Sequence, residues 1–488
     1  MANERSQFIK RILDAEGQYP VESWKIDDIH VWPLIRIQLF FSWFNAQKHS
    51  SQPATMAKTA KSGYLRFIWQ GILSYIRLKQ LSVPVTKFLF SGAYTHRIKI
   101  RDFLYNRYFD PLIDKIGEGV LLEYQRLDDR NTKYSHRKSV VELEDYLPWF
   151  QLKYAVKNAL FKEKPVVHLP EYGNFLEQFN DVINNNVQSA GLCRLVLQIK
   201  MHAEIYEYFI KRTKAKYVFG LCFYNVPMYG MNLAARRLGA VSVDMQHGTQ
   251  GKSHIAYTNW SRLPARGYEL LPRWFWVWDE SSYNLIKEWS GQLQHKVYQG
   301  GNPGLILKEL EYPYQLFHGK PIILYTLQPL GQAIEPYIIE TIRLTFNEYD
   351  WWLRFHPRHA ETEKEEIRKL LENNGLIHEV NMRESNELPL PVILNNTAVH
   401  LSRFSGSVIE GVQMGVPTIV IDQTGAETFW ELVEADAVKT CINANPEELN
   451  GLIRKITGTK ANKSGAAGAS FSLRESLENF IQLTDAVQ

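Results

Sequence analysis

AVHLSRFSGSVIEGVQMGVPTIVID, residues 398–422, reads as one complete strand–helix–strand unit. AVHLS (398–402) is a short apolar β run, and Ser402, Ser405 and Ser407 surround Gly406 just before a helix that runs to about Met414. Gly415-Val416-Pro417 closes that helix, and PTIVID (417–422) opens the next strand. Short apolar runs alternating with helices imply a parallel sheet covered on both faces. Working outward, PIILYTLQ (321–328) and WWLRFH (351–356) continue the rhythm upstream. An earlier series holds TKFLFSG (86–92), GVLLEYQ (119–125), PVVHLP (165–170), AKYVFGLCFY (215–224) and AVSVDMQ (240–246), with helical segments at 191–212 and 226–238. PRWFWVWDE (272–280) and VYQGGNPG (297–304) separate the two series. The expected architecture is α/β, two doubly wound domains at 86–271 and 272–460. A helical, basic extension (1–85) precedes them and a linker with a terminal helix (461–488) follows. Ligands of such sheets bind beyond the carboxyl ends of the strands, which points to the cleft between the domains.

The composition is that of a large globular protein: 488 residues, 45% hydrophobic, 22% charged. Cys193, Cys222 and Cys441 have no CxxC spacing, which argues against a disulfide framework or a zinc site and fits a reducing, cytoplasmic compartment. The first residues lack the apolar core of a signal peptide, and no uncharged apolar run is long enough to span a bilayer. The net charge of +4 hides an asymmetry, because residues 1–110 hold 16 Lys+Arg against 8 Asp+Glu. No nucleic-acid recognition module accompanies this basic end, so an anionic lipid surface, the inner face of a membrane, is the expected partner. In GYLRFIWQGILSYIRLK (63–79) the residues Leu65, Ile68, Trp69, Ile72, Leu73, Tyr75 and Ile76 share a broad helical face, opposite Arg66, Gln70, Ser74 and Arg77. That pattern fits a surface helix packed on its own domain, or an interfacial helix on a membrane. Residues 20–45 read as a buried aromatic helix with its entry turn and 45–62 as a linker.

Three clusters sit at predicted strand ends. In DMQHGTQGKSHIAY (244–257), Gln246, His247 and Gly248 follow a strand directly, and Lys252 and His254 add a cation and a second imidazole. A histidine there is suited to take a proton from a sugar hydroxyl at neutral pH. In RFHPRH (354–359), Pro357 fixes a turn that carries His356 between Arg354 and Arg358, a set suited to a phosphate leaving group. In the serine cluster, hydroxyls and N–H groups at a helix start favour an anion, and Glu410 lies one turn further, within reach of ribose hydroxyls. Thr326 and Gln328, at a strand end, and Gly300, Gly301 and Asn302, in the preceding loop, are secondary donor-binding candidates or simple turn chemistry. No DxD-type carboxylate pair suits Mg²⁺, so no metal and no cofactor is expected.

In this order the clusters resemble bacterial glycosyltransferases of the GT-B fold, built from two facing Rossmann-like domains, that use cytidine-activated donors in capsule and lipopolysaccharide synthesis. The His356-Pro357 turn followed by Ser405 and Ser407 looks like the pair that sialyltransferases and Kdo transferases use to hold the CMP leaving group. QHGTQGK (246–252) is similar to the QHG segment of capsule-synthesis proteins and to the HGTxxK segment of CDP-glycerol polymerases. The resemblance implies that His247 is the base and that His356 assists the departing phosphate. It departs from the sialyltransferases, whose acidic pair is replaced by Gln246-His247, and from the teichoic acid enzymes, whose Asp-Tyr is replaced by Arg403-Phe404. The implied reaction is inverting transfer of a sugar, Kdo or another nonulosonate, from a CMP-linked donor to a glycan or lipid-linked acceptor. A retaining route needs a carboxylate nucleophile, for which Asp244 is the nearest candidate unless it points into the sheet. A CDP-polyol phosphotransferase, a non-catalytic GT-B scaffold subunit and a sugar-nucleotide epimerase are the alternatives.

Overall fold

A computed structural model describes residues 2–47, 63–125, 133–136, 139–161, 164–252, 254–291, 294–312, 317, 319–329, 334–458 and 472–486. The chain forms two compact units: residues 1–96, 108–301 and 473–488 in one, and residues 97–107 and 302–472 in the other.

The first unit is built on a seven-stranded parallel sheet. Its strands are β1 (Phe88–Ala93), β2 (Val120–Gln125), β3 (Val140–Glu142), β4 (Tyr217–Leu221), β5 (Val241–Met245), β6 (Trp274–Val277) and β7 (Lys296–Gln299). Their spatial order is β3-β2-β1-β4-β5-β6-β7, so the direction of winding reverses between β1 and β4. This is the doubly wound, Rossmann-like order. The two sides of the strands alternate as the pleat demands. Val218 of β4 and Phe275 and Val277 of β6 enter the main core. Tyr217, Phe219, Trp274 and Trp276 face the other way, onto Phe480 of the C-terminal helix Leu473–Asp485.

The expected extension 1–85 is part of this unit. Helices α1 (Ala2–Gln18) and α2 (Trp32–Gln47) supply core residues such as Ile12, Trp32 and Ile35. In the stretch 20–45, expected as one buried helix with its entry turn, the entry is a one-turn helix (Val21–Ser23) and two short strands (Lys25–Ile26 and Ile29–His30), and the helix α2 begins only at Trp32. Helix α3 (Gly63–Gln80) pairs with α4 (Leu147–Phe161). Helices α5 (Ser189–Thr213), α6 (Val226–Leu238) and α7 (Glu280–Ser290) complete the layers. Of PVVHLP only Val167–His168 is extended, and it pairs antiparallel with Lys25–Ile26 outside the large sheet. The expected domain boundary at 271/272 falls at 301/302 instead, because β6 and β7 add to β5 in parallel. Of the expected linkers, residues 48–62 and 459–471 lie outside the described residues.

The second unit carries a six-stranded parallel sheet: β8 (Ile322–Thr326), β9 (Asp350–Arg354), β10 (Val380–Asn381), β11 (Thr397–Ser402), β12 (Thr418–Val420) and β13 (Val438–Thr440). The order β10-β9-β8-β11-β12-β13 repeats the first topology, with the switch between β8 and β11. The antiparallel hairpin Arg97–Ile100 and Phe103–Asn106 belongs to this unit, although its sequence is embedded in the first. The predicted strand–helix–strand stretch forms as β11, helix α8 (Ser407–Gln413) and β12.

Candidate functional site

In the six-stranded unit the switch point is a polar node. Thr326 ends β8 in register with Ser402 at the end of β11. The Thr326 hydroxyl lies 2.9 Å from His400 Nε2, 3.0 Å from Ser402 Oγ and 2.9 Å from Ser407 Oγ. All four residues are buried. Burial pushes His400 down to about 3, so its ring is neutral and trades single hydrogen bonds with the hydroxyls. Ser402, Ser407 and Thr326 thus fix where α8 starts, while Ser405 and Gly406 are the more open members of the cluster. Ser405 Oγ accepts a hydrogen bond from the Ser407 amide.

Glu410 is buried one turn into α8, with the Arg107 guanidinium 3.6 Å away. Arg107 ends the inserted hairpin and had no sequence signal: the stretch 108–301, which folds in the other unit, intervenes between it and Glu410 in the sequence. Arg354 ends β9, and its Nη1 donates to the carbonyls of Leu388 (2.8 Å) and Ser385. Burial pulls its guanidinium down to about 10, with Glu410 raising it and Arg107 lowering it further. Arg354 is therefore a scaffold cation that holds segment 384–388 while adding positive potential.

Past β9, Pro357 and the exposed Arg358 form the turn. His356 Nδ1 accepts from the Arg358 amide (3.1 Å), and His359 Nδ1 accepts from the His356 amide (2.8 Å). An acceptor Nδ1 leaves the proton of a neutral ring on Nε2. Burial holds the His356 imidazole down to about 4, helped by Arg358, His359 and Arg107. At neutral pH His356 is an Nε2–H hydrogen-bond donor.

In the seven-stranded unit the strand-end cluster is ordered by Gln246. Its Nε2 donates to the Gly248 carbonyl (2.9 Å) and to Ser282 Oγ (3.2 Å), and its Oε1 accepts from the Trp278 amide (2.6 Å). Buried and engaged at both ends, Gln246 pins the 246–248 turn to α7 instead of facing an acceptor. His247 is partly exposed; its carbonyl accepts from Tyr108 Oη at 3.0 Å, and its ring centre lies 6.4 Å from that of Tyr224. Tyr108 and Tyr224 escaped the sequence reading because neither sits in a motif. His254 packs on Tyr257 with ring centres 4.7 Å apart, and burial lowers it to about 3, so it is neutral and adds no cation. Lys252 is exposed, on the loop that follows Gly248.

Asp244 is enclosed. Its Oδ1 accepts from the Phe223 amide (3.0 Å) and its Oδ2 from Tyr257 Oη (2.9 Å), with the carboxyl raised to about 8 by burial. A carboxyl that is 2% exposed and held at both oxygens braces β5 against the 222–224 loop, so it does not meet the demands of a nucleophile. The secondary candidates are largely turn chemistry. A side chain at Gly300 would overlap the Trp276 ring, and Gly301 takes a left-handed φ of 76° while its carbonyl accepts from Trp276 Nε1. Asn302 caps the short 3₁₀ helix Pro303–Glu309, and Gln328 Oε1 accepts from the Phe404 amide at 3.0 Å. Among the described residues no group of three or more His, Cys, Asp or Glu is placed to hold a metal ion. No helix among them is long and apolar enough to cross a membrane.

No family model matches the chain, and no curated protein matches it. Solved structures do align with it. The UDP-GlcNAc 2-epimerase of Methanocaldococcus jannaschii shares 14% identity over 81% of this chain and all of its own, with a TM-score of 0.48. The MnaA–UDP structure of Staphylococcus aureus shares 13% over 83% of this chain and 98% of its own, with a TM-score of 0.46. The Neisseria meningitidis UDP-GlcNAc 2-epimerase bound to UDP-GlcNAc shares 15% over 82% of this chain and 99% of its own, with a TM-score of 0.44. Likeness at this level carries no statement about activity. The class of protein defined by the strand orders is a two-unit α/β protein with a Rossmann-like sheet in each unit.

Proposed function

We propose that the chain is a nucleotide-sugar enzyme, a glycosyltransferase that moves a sugar from a nucleotide-activated donor to a glycan or lipid-linked acceptor. The supporting observation is the switch point of the six-stranded sheet. There Ser405 and Gly406 open a helix beside Glu410, Arg107, Arg354 and the Nε2–H donor of His356. Such a set suits a nucleotide, with Glu410 toward the ribose and the donors toward the phosphate. The reading assigns the donor to this unit and the acceptor to the unit carrying His247. His247 takes the acceptor hydroxyl proton as the acceptor oxygen attacks the anomeric carbon. The bond to the phosphate oxygen breaks, and the electron pair leaves on a phosphate stabilised by the cations and His356. Tight hydrogen bonding there helps only as negative charge grows, which is what lowers a barrier. A CMP-linked nonulosonate as donor is the finer reading, and it rests on the resemblance of the motifs alone.

Calorimetric titration with CMP, CDP, UDP and GDP, followed by product analysis with the matching sugar donor, tests the proposal. One nucleotide is expected to bind clearly more tightly than the others, and His247→Ala is expected to keep that affinity while turnover falls about 10²–10⁴-fold. Preference for UDP with formation of an epimerised sugar would replace transfer by epimerisation. Absence of nucleotide binding in the folded protein would remove the reading altogether.

A further inference from the structure

The helix α3 turns the wrong way for a helix that serves only its own domain. Its small-residue side is the buried one: Gly71, Ser74 and Leu78 face α4. A side chain at Gly71 would strike Leu152, so only glycine allows this approach of the two helices. The Trp149 amide donates to Ser74 Oγ at 3.2 Å, and the Tyr75 and Trp149 rings meet at 4.5 Å. With that side committed, the apolar stripe Leu65, Trp69, Ile72 and Ile76 points outward. Leu65 is 77% exposed and Trp69 59%, with Tyr64 at 69% beside them. These positions are spaced i, i+4, i+7 and i+11, one straight line along a helix. On α4, Val156 and Leu160 are also exposed.

The charge around the stripe has one sign. Neither α3 nor α4 contains an acidic residue, and the sequence holds none between Asp28 and Asp102. Arg66 and Arg77 flank the stripe on one side and Lys79 on the other, with Lys153 and Lys157 on α4. The acids that reach these helices come from elsewhere: Asp145 lies 3.8 Å from Arg77, and Glu204 pairs with Lys153 at 2.5 Å. Among the described residues Arg66 and Lys79 pair with no acid, and Lys79 instead lies over the Tyr75 ring.

We infer that the α3 stripe is a docking surface for an anionic lipid bilayer, lying flat in the headgroup region. An apolar row with Trp and Tyr on it, bordered by Arg and Lys, matches the interface between acyl chains and acidic headgroups. Neither signal alone holds a protein at a membrane; a shallow apolar row and several cations together do. A second copy of this chain would bring like charge against like charge. The inference is independent of the proposed reaction and survives or fails without it.

Flotation of the full chain with vesicles of phosphatidylcholine alone, or with a third phosphatidylglycerol, tests it. Binding to the acidic vesicles is expected at low salt, weakened at high salt and slight on neutral vesicles. Trp69→Ser with Ile76→Ser removes exposed apolar surface and is expected to weaken binding about 10- to 100-fold with an unchanged unfolding transition. Arg66→Gln with Arg77→Gln is expected to reduce the salt dependence. Equal recovery in the unbound fraction under all conditions, equal binding to neutral vesicles, or a dimer in light scattering that Trp69→Ser dissolves would each overturn the inference.

Discussion

At Thr326 one hydroxyl serves a histidine and two serines, and the order of the serine cluster depends on it. The residues more open to a ligand are then Ser405, Gly406, His356 and Arg107, with the buried Glu410 behind Arg107, not the whole serine run. Arg107 disfavours a proton on His356, so a ligand anion meets a neutral Nε2–H donor beside a guanidinium. His356→Ala and Arg107→Gln are therefore each expected to weaken nucleotide binding about 10- to 100-fold, the loss of a hydrogen bond or ion pair to a charged group. Because both act on one charge, the double variant should lose less than the sum of the two. Calorimetry on the four proteins checks this, and strict additivity would assign them to separate ligand groups.

Among the elements, α1 and α2 bear on the site most unexpectedly. Arg36 of α2 is fully buried, paired to Glu16 of α1 at 2.5 Å, and donates to the carbonyls of Ile255 (3.0 Å), Thr258 and Asn259 (3.3 Å). Glu16 in turn accepts from the amides of Ser261 and Arg262. Two amino-terminal helices thus clamp the segment that follows His247 and His254. Arg36→Met leaves Glu16 buried without its cation, which costs about 3–5 kcal/mol. Urea unfolding is expected to show that loss in the midpoint. A shift under 1 kcal/mol would mean that Glu16 protonates cheaply and that the clamp is dispensable.

Across the whole molecule the buried histidines set the response to acid. Burial holds His202, His295 and His356 at about 4, and His254 and His400 at about 3. The unfolded chain takes up these protons near pH 6.5, whereas the folded chain refuses them until pH 3–4. The unfolded state binds more protons in that window, so stability is full above about pH 6.5 and is lost as pH falls toward 4. Asp244 works in the opposite sense: raised to about 8, it is protonated when folded and loses stability as pH rises from about 4 to 8. Five groups outweigh one, so urea midpoints should fall steadily from pH 6.5 to 4.5. A midpoint that holds or rises over that range would contradict the burial of these rings.

The sequence by itself determined both parallel sheets, because apolar runs alternating with helices leave a chain few other ways to bury its strands. It also located the three strand-end clusters, since glycine, proline and serine there mark turns that local geometry requires. It missed β6 and β7, whose Trp274–Val277 run joins a sheet begun almost 190 residues earlier, and so misplaced the boundary between the units. Arg107 was illegible for the same reason: it reaches Glu410 only after the hairpin folds into the other unit. Helical periodicity identified the apolar stripe of α3, but periodicity has no sign. Which side is buried was decided by the close approach of Gly71 to Leu152, a contact between segments about 80 residues apart that only the tertiary structure brings together.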